Sequence, residues 1–130
     1  QLVVEHEGQI IGDLMVRMQD SWSQAEVAHL AAGTGAELGW VFAPSAHGNG
    51  FATEAVMELL EIAFEGLGVR RIEAGCFAEN VASRRVMEKA GLRLEGIFLG
   101  DSLHRDGTWR DGALYALLLE EWQARPGSRA

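Results

Sequence analysis

Residues 44–55 carry the pattern that most directly predicts chemistry in this chain, a glycine-rich turn that opens into an amphipathic helix. Backbone N–H groups in the first turn of a helix lack intrahelical partners, and the helix dipole adds positive potential at the same end. Gly48 and Gly50 have no Cβ, which lets a bulky anion approach the backbone closely. The segment therefore predicts a phosphate or pyrophosphate site.

Two other nucleotide-binding motifs fit this segment poorly. A dinucleotide-binding fingerprint needs a third glycine where Thr53 stands, and no long array of parallel βαβ units follows. A P-loop needs a Gly-Lys-Ser/Thr sequence, which the chain lacks.

Hydrophobic periodicity and turn residues predict the elements around this turn. Strands are predicted at residues 2–5, 10–18, 37–43, 71–77, 92–99 and 113–119. One helix follows the glycine turn and is closed by Gly66 and Gly68. A second is capped by Asn80 and ends at Gly91. Residues 19–36 fit either a short helix over 24–32 or an irregular surface segment, and residues 100–112 are predicted to be a linker.

This order predicts an α/β (α+β) fold with a mixed, mostly antiparallel central sheet and flanking helices. We expect one domain over residues 1–122 and a disordered tail over residues 123–130.

Amino-acid composition argues against several classes of function. The net charge of −8 argues against a general nucleic-acid binder and against docking on anionic membrane. The single cysteine, Cys76, indicates a reducing compartment, so we expect a cytoplasmic location. The four histidines lack the spacing of metal ligands, so no metal site is expected. The first residues lack a signal-peptide pattern, and without an initiator methionine the N-terminus is expected to lie upstream.

Two motifs resemble the GNAT family of N-acetyltransferases, and within it the branch of ribosomal-protein N-terminal acetyltransferases. The first is His47-Gly-Asn-Gly50-Phe-Ala52, and about thirty residues later comes Asn80-Val-Ala-Ser83. The resemblance covers nearly the whole chain. It implies the GNAT acyl-CoA N-acyltransferase fold, here lacking the usual first strand and first helices.

The resemblance also implies acetyl-CoA as the acyl donor. In the family, loop amides bind the CoA pyrophosphate and the pantetheine arm lies between two splayed strands, here residues 37–43 and 71–77. Gly39 would mark a bulge that opens this gap. The residues implied to contact CoA are Val41, Phe42, His47, Gly48, Asn49, Gly50, Phe51, Ala52, Thr53, Asn80, Ser83 and Arg84.

Moving an acetyl group to an amine requires aligned reactants, a neutral amine and a protonated leaving thiolate. Glu37 matches a position where several family members carry a general base, and Ser83 matches a proposed proton donor to the thiolate. A solvated strand-end carboxylate and a helix cap are the structural alternatives for these two residues. Tyr115 is expected to pack in the core, and Cys76 to be an unreactive strand cysteine.

Three positions depart from the family pattern. His47 and Asn49 bring less positive charge to the loop than the usual residues, and Ser102 stands where some ribosomal-type relatives carry a glutamate. The predicted function is an N-acetyltransferase acting on a primary amine, either a protein N-terminus or a small molecule, by direct attack. A non-catalytic acyl-CoA sensor and a transferase of another acyl group, such as succinyl, remain alternatives, and a homodimer stays open.

Overall fold

The computed structural model describes residues 2–42 and 50–126. The strands are β1 Leu2–His6, β2 Gln9–Gln19, β3 Gly35–Phe42, β4 Arg71–Phe77, β5 Arg93–Leu103 and β6 Trp109–Leu118. The helices are α1 Ala28–Ala31, α2 Phe51–Glu61, α3 Val81–Lys89 and α4 Leu119–Ala124. The predicted contacts at His47, Gly48 and Asn49 lie outside the described residues.

The six strands form one sheet in the order β1-β2-β3-β4-β6-β5. Within it β3 and β4 are parallel, whereas the other neighbouring strands are antiparallel. This confirms the predicted mixed, mostly antiparallel sheet. Residues of α2 and α3 pack on one sheet face around a core of fully buried side chains. These are Tyr115, Leu59, Leu60, Ile72, Met87, Val56 and Val69.

The ends of α2 and α3 follow from local sequence, as predicted. Gly50, at φ 75°, directly precedes α2, which continues as a π-helical turn over Ile62–Gly66. Asn80 caps α3 by accepting a hydrogen bond from the Ser83 N–H at 3.1 Å. Gly91 ends that helix at φ 100°, a left-handed conformation that glycine adopts without strain.

The predicted linker over residues 100–112 is wrong, because most of it belongs to the β5–β6 hairpin. Leu103 pairs with Trp109 across a short turn, and the register shifts between Phe98 and Ser102. The N–H of Gly100 donates to Asp111 Oδ1 at 2.8 Å within the shifted stretch. The polar sequence reflects an exposed edge strand and does not indicate irregular backbone.

Helical turns also occur in residues 19–36 and at the start of the predicted tail. Residues 19–36 include the end of β2 and the start of β3, and between these strands they hold a 3-10 turn at Ala25–Val27 and the single-turn helix α1. The predicted boundary at residue 122 falls inside α4, so residues 123 and 124 are helical.

A chain of ion pairs crosses the sheet face opposite α2 and α3. Glu95 accepts from Arg71 at 2.6 Å and from Arg93 at 2.9 Å, and Arg93 also bonds Glu121 of α4 at 2.9 Å. The Arg71 and Arg93 hydrogen bonds lower the pKa of Glu95 from 4.5 to about 2. These ion pairs therefore connect β4, β5 and α4.

Glu95→Gln is expected to lower thermal stability at neutral pH and to lose that effect in acid. Because the pKa of Glu95 falls on folding, its contribution is complete above about pH 4.5 and disappears as pH falls through about 2. The difference in Tm between wild type and Glu95→Gln should thus shrink between pH 5 and pH 2. Glu120→Gln, at an exposed position of α4, is the control. A difference that stays constant across this range contradicts the assignment.

Candidate active site

A gap between β3 and β4 is the central feature of the site. The two strands pair only from Gly35↔Arg71 to Glu37↔Glu73. Both strands continue beyond this point, and the described backbone there carries no further β3–β4 pairing. The predicted divergence of these strands is confirmed.

The predicted bulge at Gly39 is wrong. The β2–β3 register runs without a shift from Gln19↔Gly35 to Gly12↔Phe42, with Met15 opposite Gly39. A Cβ on Gly39 would lie 3.2 Å from the Met15 methyl carbon, so glycine makes room for that side chain. On its other edge β4 stays paired with β6 along its whole length.

A cavity of about 520 Å³ lies beside the last residues of β3, between the first turn of α2 and one face of α3. Seven of the predicted CoA contacts line it: Val41, Phe42, Gly50, Ala52, Thr53, Asn80 and Ser83. Sequence reasoning did not assign to it Trp40, Ala82, Val86 and Lys89. The last three, with Arg85, recur at three- and four-residue spacing along one face of α3, which was the available signal.

The first turn of α2 supplies hydrogen-bond donors to this cavity. Its first intrahelical bond runs from the Glu54 N–H to the Gly50 carbonyl at 3.1 Å, so the helix offers no acceptor to the amides of Ala52 and Thr53. Gly50 has no side chain to cap them. A Cβ at Gly50 would meet no atom of residues 2–42 or 50–126 within 4 Å, so those residues leave space beside the backbone. This is the arrangement that a phosphate requires.

The first turn of α3 faces the same cavity with two polar side chains. Asn80 uses its Oδ1 for the cap, and among the described residues its Nδ2 has no partner. Ser83 is half-buried, and its Oγ likewise bonds nothing in the part of the chain that the structure describes. Both groups are therefore available to a ligand, in addition to the capping role of Asn80.

Arg84 and Arg85 differ in orientation. The Arg84 guanidinium donates to the Tyr115 hydroxyl at 3.0 Å and to the Ala78 carbonyl at 3.1 Å. Arg85 is exposed and lines the cavity with Lys89. The contact of Arg84 with CoA stays a prediction, whereas Arg85 and Lys89 place cationic groups directly at the cleft.

Glu37 lies where the two strands separate. Its neighbours Ala36 and Leu38 point into the core, so Glu37 lies on the opposite face of the sheet, away from Ser83. Its Oε1 accepts from Arg17 at 2.6 Å, and the side chain is 34% exposed. No second partner of Glu37 occurs within residues 2–42 and 50–126, which leaves Oε2 open to a substrate or a water.

A second carboxylate, missed by sequence reasoning, faces Glu37 across the last paired position. Glu73 accepts from Gln19 at 3.0 Å through Oε1 and from Arg71 at 3.2 Å through Oε2. Both of its oxygens are occupied. Glu37 is therefore the better proton acceptor of the two.

Other sequence expectations involve residues beside this cleft. Phe51 begins α2 but lines a separate cavity with Leu2 and Leu14. Burial raises the pKa of the Cys76 thiol, which keeps it protonated and weakly nucleophilic. No set of three or more His, Cys, Asp or Glu side chains within residues 2–42 and 50–126 is arranged to hold a metal ion.

A mixed sheet whose one parallel pair diverges above a helix N-terminus defines an α/β domain suited to an extended, anionic ligand. The chain belongs to the GNAT acetyltransferase family: the family model described as "Acetyltransferase (GNAT) domain" matches residues 1–93. The resemblance and the GNAT fold are thereby confirmed.

Named relatives agree with this assignment. The chain is 43% identical over 86 residues to the "Uncharacterized N-acetyltransferase YnaD" of Bacillus subtilis, covering 66% of this chain and 50% of that protein. It is 35% identical to the "Putative ribosomal N-acetyltransferase YdaF" of the same species, covering 68% and 48%. Mycobacterium smegmatis RimJ in complex with CoA-disulfide superposes with a TM-score of 0.77 at 32% identity, over 97% of this chain and 54% of that one. The chain spans about half the length of the curated relatives it matches.

Proposed function

We propose that this chain is the acyl-CoA-binding part of an N-acetyltransferase that moves an acetyl group from acetyl-CoA to a primary amine. The observation that carries the proposal is the shared cleft, where the first turn of α2 and the polar side chains of Asn80 and Ser83 lie together beside the last residues of β3. The solved relative with bound CoA-disulfide supports the choice of ligand. Direct attack by the amine needs no covalent enzyme intermediate, which agrees with the protonated, weakly nucleophilic Cys76.

The residues of the cleft fit acetyl-CoA, which supplies a thioester acyl group. The β3 backbone beyond Glu37 lacks pairing on its β4 side, so it can bond an extended arm laid in the gap. The amides of Ala52 and Thr53 can receive the pyrophosphate, and Asn80 Nδ2 can donate to a carbonyl of the arm. Arg85 and Lys89 would neutralise phosphate charge.

Two side chains serve the proton transfers. Glu37 accepts the proton of the attacking amine, directly or through one water, at the end of the gap where the strands meet. Ser83 donates to the departing thiolate from the first turn of α3. Alignment of the reactants in the gap provides the remaining rate enhancement.

The acceptor is a primary amine, and a protein N-terminus is the preferred candidate. The name of YdaF refers to a ribosomal substrate, and YdaF is 35% identical over the matched region. The net charge of −8 would attract a cationic acceptor. A polyamine or another small amine is the alternative. A cytoplasmic location is proposed to match these substrates.

The described helices are all too short or too polar to cross a bilayer.

Removing positive charge from the α3 side of the cleft is expected to weaken CoA binding. Arg85→Ala and Lys89→Ala should each raise the Kd for CoA about 3- to 10-fold, and the loss should shrink at high salt. Isothermal titration at two salt concentrations measures both effects. Pantetheine, which has no phosphate, should bind these variants and wild type equally.

Arg105→Ala is the matched control, since Arg105 is exposed on the β5–β6 turn and lines none of the cleft. It removes the same charge and should leave the Kd for CoA within about 2-fold of wild type. Equal losses in Arg85→Ala and Arg105→Ala would mean that only net charge matters, and the local contact would be wrong.

Thiol release from acetyl-CoA with a panel of amines tests the function directly. Peptides with free N-termini, lysine-blocked peptides and polyamines should separate the two acceptor classes. Thiol release that depends on the amine supports the transferase. Release from succinyl-CoA but not from acetyl-CoA would identify succinyl as the transferred acyl group. CoA binding without turnover on any amine would favour the sensor. Absence of CoA binding by wild type would refute both.

A further inference from the structure

The hydroxyl of Tyr115 is a buried polar group with two charged partners. The side chain is fully buried in the middle of β6. Its oxygen accepts from Arg84 Nε at 3.0 Å, and its O–H donates to Glu88 Oε2 at 2.9 Å. Arg84 and Glu88 are one turn apart on α3, so this hydroxyl anchors the middle and the last turn of the helix to the sheet.

The contacts of Arg84 extend this anchor to the turn before α3. The guanidinium also donates to the Ala78 carbonyl, at the end of β4. The Ala78 N–H in turn donates to the Asp111 carbonyl at 2.8 Å, and the Asn80 N–H to the Phe77 carbonyl at 2.9 Å. The turn that leads into α3 is thus bonded to β6 through Arg84 and through Asp111.

We infer that Tyr115 is a positioning residue for the cleft: its hydroxyl fixes Arg84, and through Arg84 the turn that presents Asn80 and Ser83. This inference rests on the proposed function, because those two side chains act only if the cleft binds acetyl-CoA. It also changes the role expected of Arg84 from CoA contact to structural bridge.

Core packing alone does not account for this arrangement. A phenylalanine would fill the same volume, and burying a hydroxyl is unfavourable unless it is hydrogen-bonded. Burial raises the pKa of Tyr115, so the phenol keeps the proton that it donates to Glu88. The hydroxyl therefore adds a directional restraint on α3 that an apolar ring lacks.

Tyr115→Phe tests the inference through binding as well as stability. We expect the Kd for CoA and for pantetheine to rise about 10-fold, because the displaced turn misaligns Asn80. If Tyr115 acts through that turn, the double variant Tyr115→Phe/Asn80→Ala should bind CoA within about 2-fold of Asn80→Ala alone. If the two residues contribute independently, the fold-changes in Kd of the two single variants multiply in the double variant, and that outcome would overturn the inference.

Arg84→Lys is the second variant, and it keeps the charge while losing the planar fork that bridges Tyr115 and Ala78. A positioning role predicts weaker binding of both CoA and pantetheine, whereas direct phosphate binding by Arg84 predicts weaker binding of CoA alone. Loss confined to CoA would overturn the inference. This variant decides the question even if Tyr115→Phe does not fold.

Val69→Ala controls for destabilisation, since Val69 is fully buried before β4, outside the residues that line the cleft. It should lower Tm at least as far as Tyr115→Phe and leave the Kd for CoA unchanged. Equal weakening of binding in both variants would reduce Tyr115 to a stability residue. If wild type binds no CoA, the proposed function fails; if wild type binds and Tyr115→Phe binds equally well, only this inference fails.

Discussion

Replacing Glu37 with glutamine is expected to lower kcat for acetyl transfer about 100-fold and to leave the Kd for acetyl-CoA unchanged. The amide cannot accept the proton of the attacking amine, whereas it can still accept the hydrogen bond from Arg17. Thiol release under saturating acetyl-CoA measures kcat, and isothermal titration measures the Kd.

The pH dependence separates a lost base from a general disturbance. At high pH more of the acceptor amine is already neutral, so the need for a base declines. The ratio of wild-type to Glu37→Gln rates should therefore fall as pH rises from 7 towards 10. A pH-independent ratio would indicate that Glu37 orients the acceptor and does not take its proton.

Glu73→Gln is the matched control, because Glu73 lies opposite Glu37 in the β3–β4 register. Both oxygens of Glu73 already accept hydrogen bonds from Gln19 and Arg71. Its replacement should change kcat by less than about 3-fold, within the range of a side chain that does not transfer the proton. A larger loss for Glu73→Gln than for Glu37→Gln would transfer the role of base to Glu73.

Local sequence predicted the helices of the site well. The Asn80 cap, the Gly91 terminus and the bounds of β4 depend on neighbouring residues, and all three agree with the structure. Gly50 similarly marks the start of α2. The helix starts at Gly50 and Asn80 place donors at the cleft, and seven of the contacts implied by the family resemblance line it.

Contacts between distant residues were not predictable in this way. The bond between Arg84 and Tyr115 joins positions 31 residues apart and turns Arg84 away from its predicted role. Glu73 became a candidate only once the register placed it opposite Glu37. The position of β6 between β4 and β5 likewise has no signal in any single segment.

Amino-acid composition also led to a wrong prediction where a strand is highly exposed to solvent. The edge strand β5 is almost wholly exposed, so its sequence lacks the alternation of a half-buried strand. Gly100 and Asp101 then suggested a linker where a shifted strand pairing occurs. Gly39 suggested a bulge, although a glycine within a strand can equally serve close packing, here against Met15.

Adding a methyl group at the start of α2 is expected to weaken CoA binding strongly. In Gly50→Ala the new Cβ would project into the open space beside the helix amides, where the proposal puts the pyrophosphate. Loss of one hydrogen bond to a charged group costs about 1.5–3 kcal/mol, so the Kd for CoA should rise roughly 10- to 100-fold. Pantetheine should bind Gly50→Ala and wild type equally, because it carries no pyrophosphate.

Gly68→Ala provides a control matched in backbone strain. Gly68 has φ 70° and Gly50 has φ 75°, and a Cβ at either position meets no atom of the described residues within 4 Å. Both variants therefore carry the same penalty of about 1–2 kcal/mol for a left-handed alanine, and both should lower Tm similarly. Only Gly50→Ala changes the anion site, so a raised Kd for CoA in this variant alone identifies the start of α2 as the pyrophosphate contact. Equal affinities in both variants would place the pyrophosphate elsewhere and remove the main physical support for acetyl-CoA in this cleft.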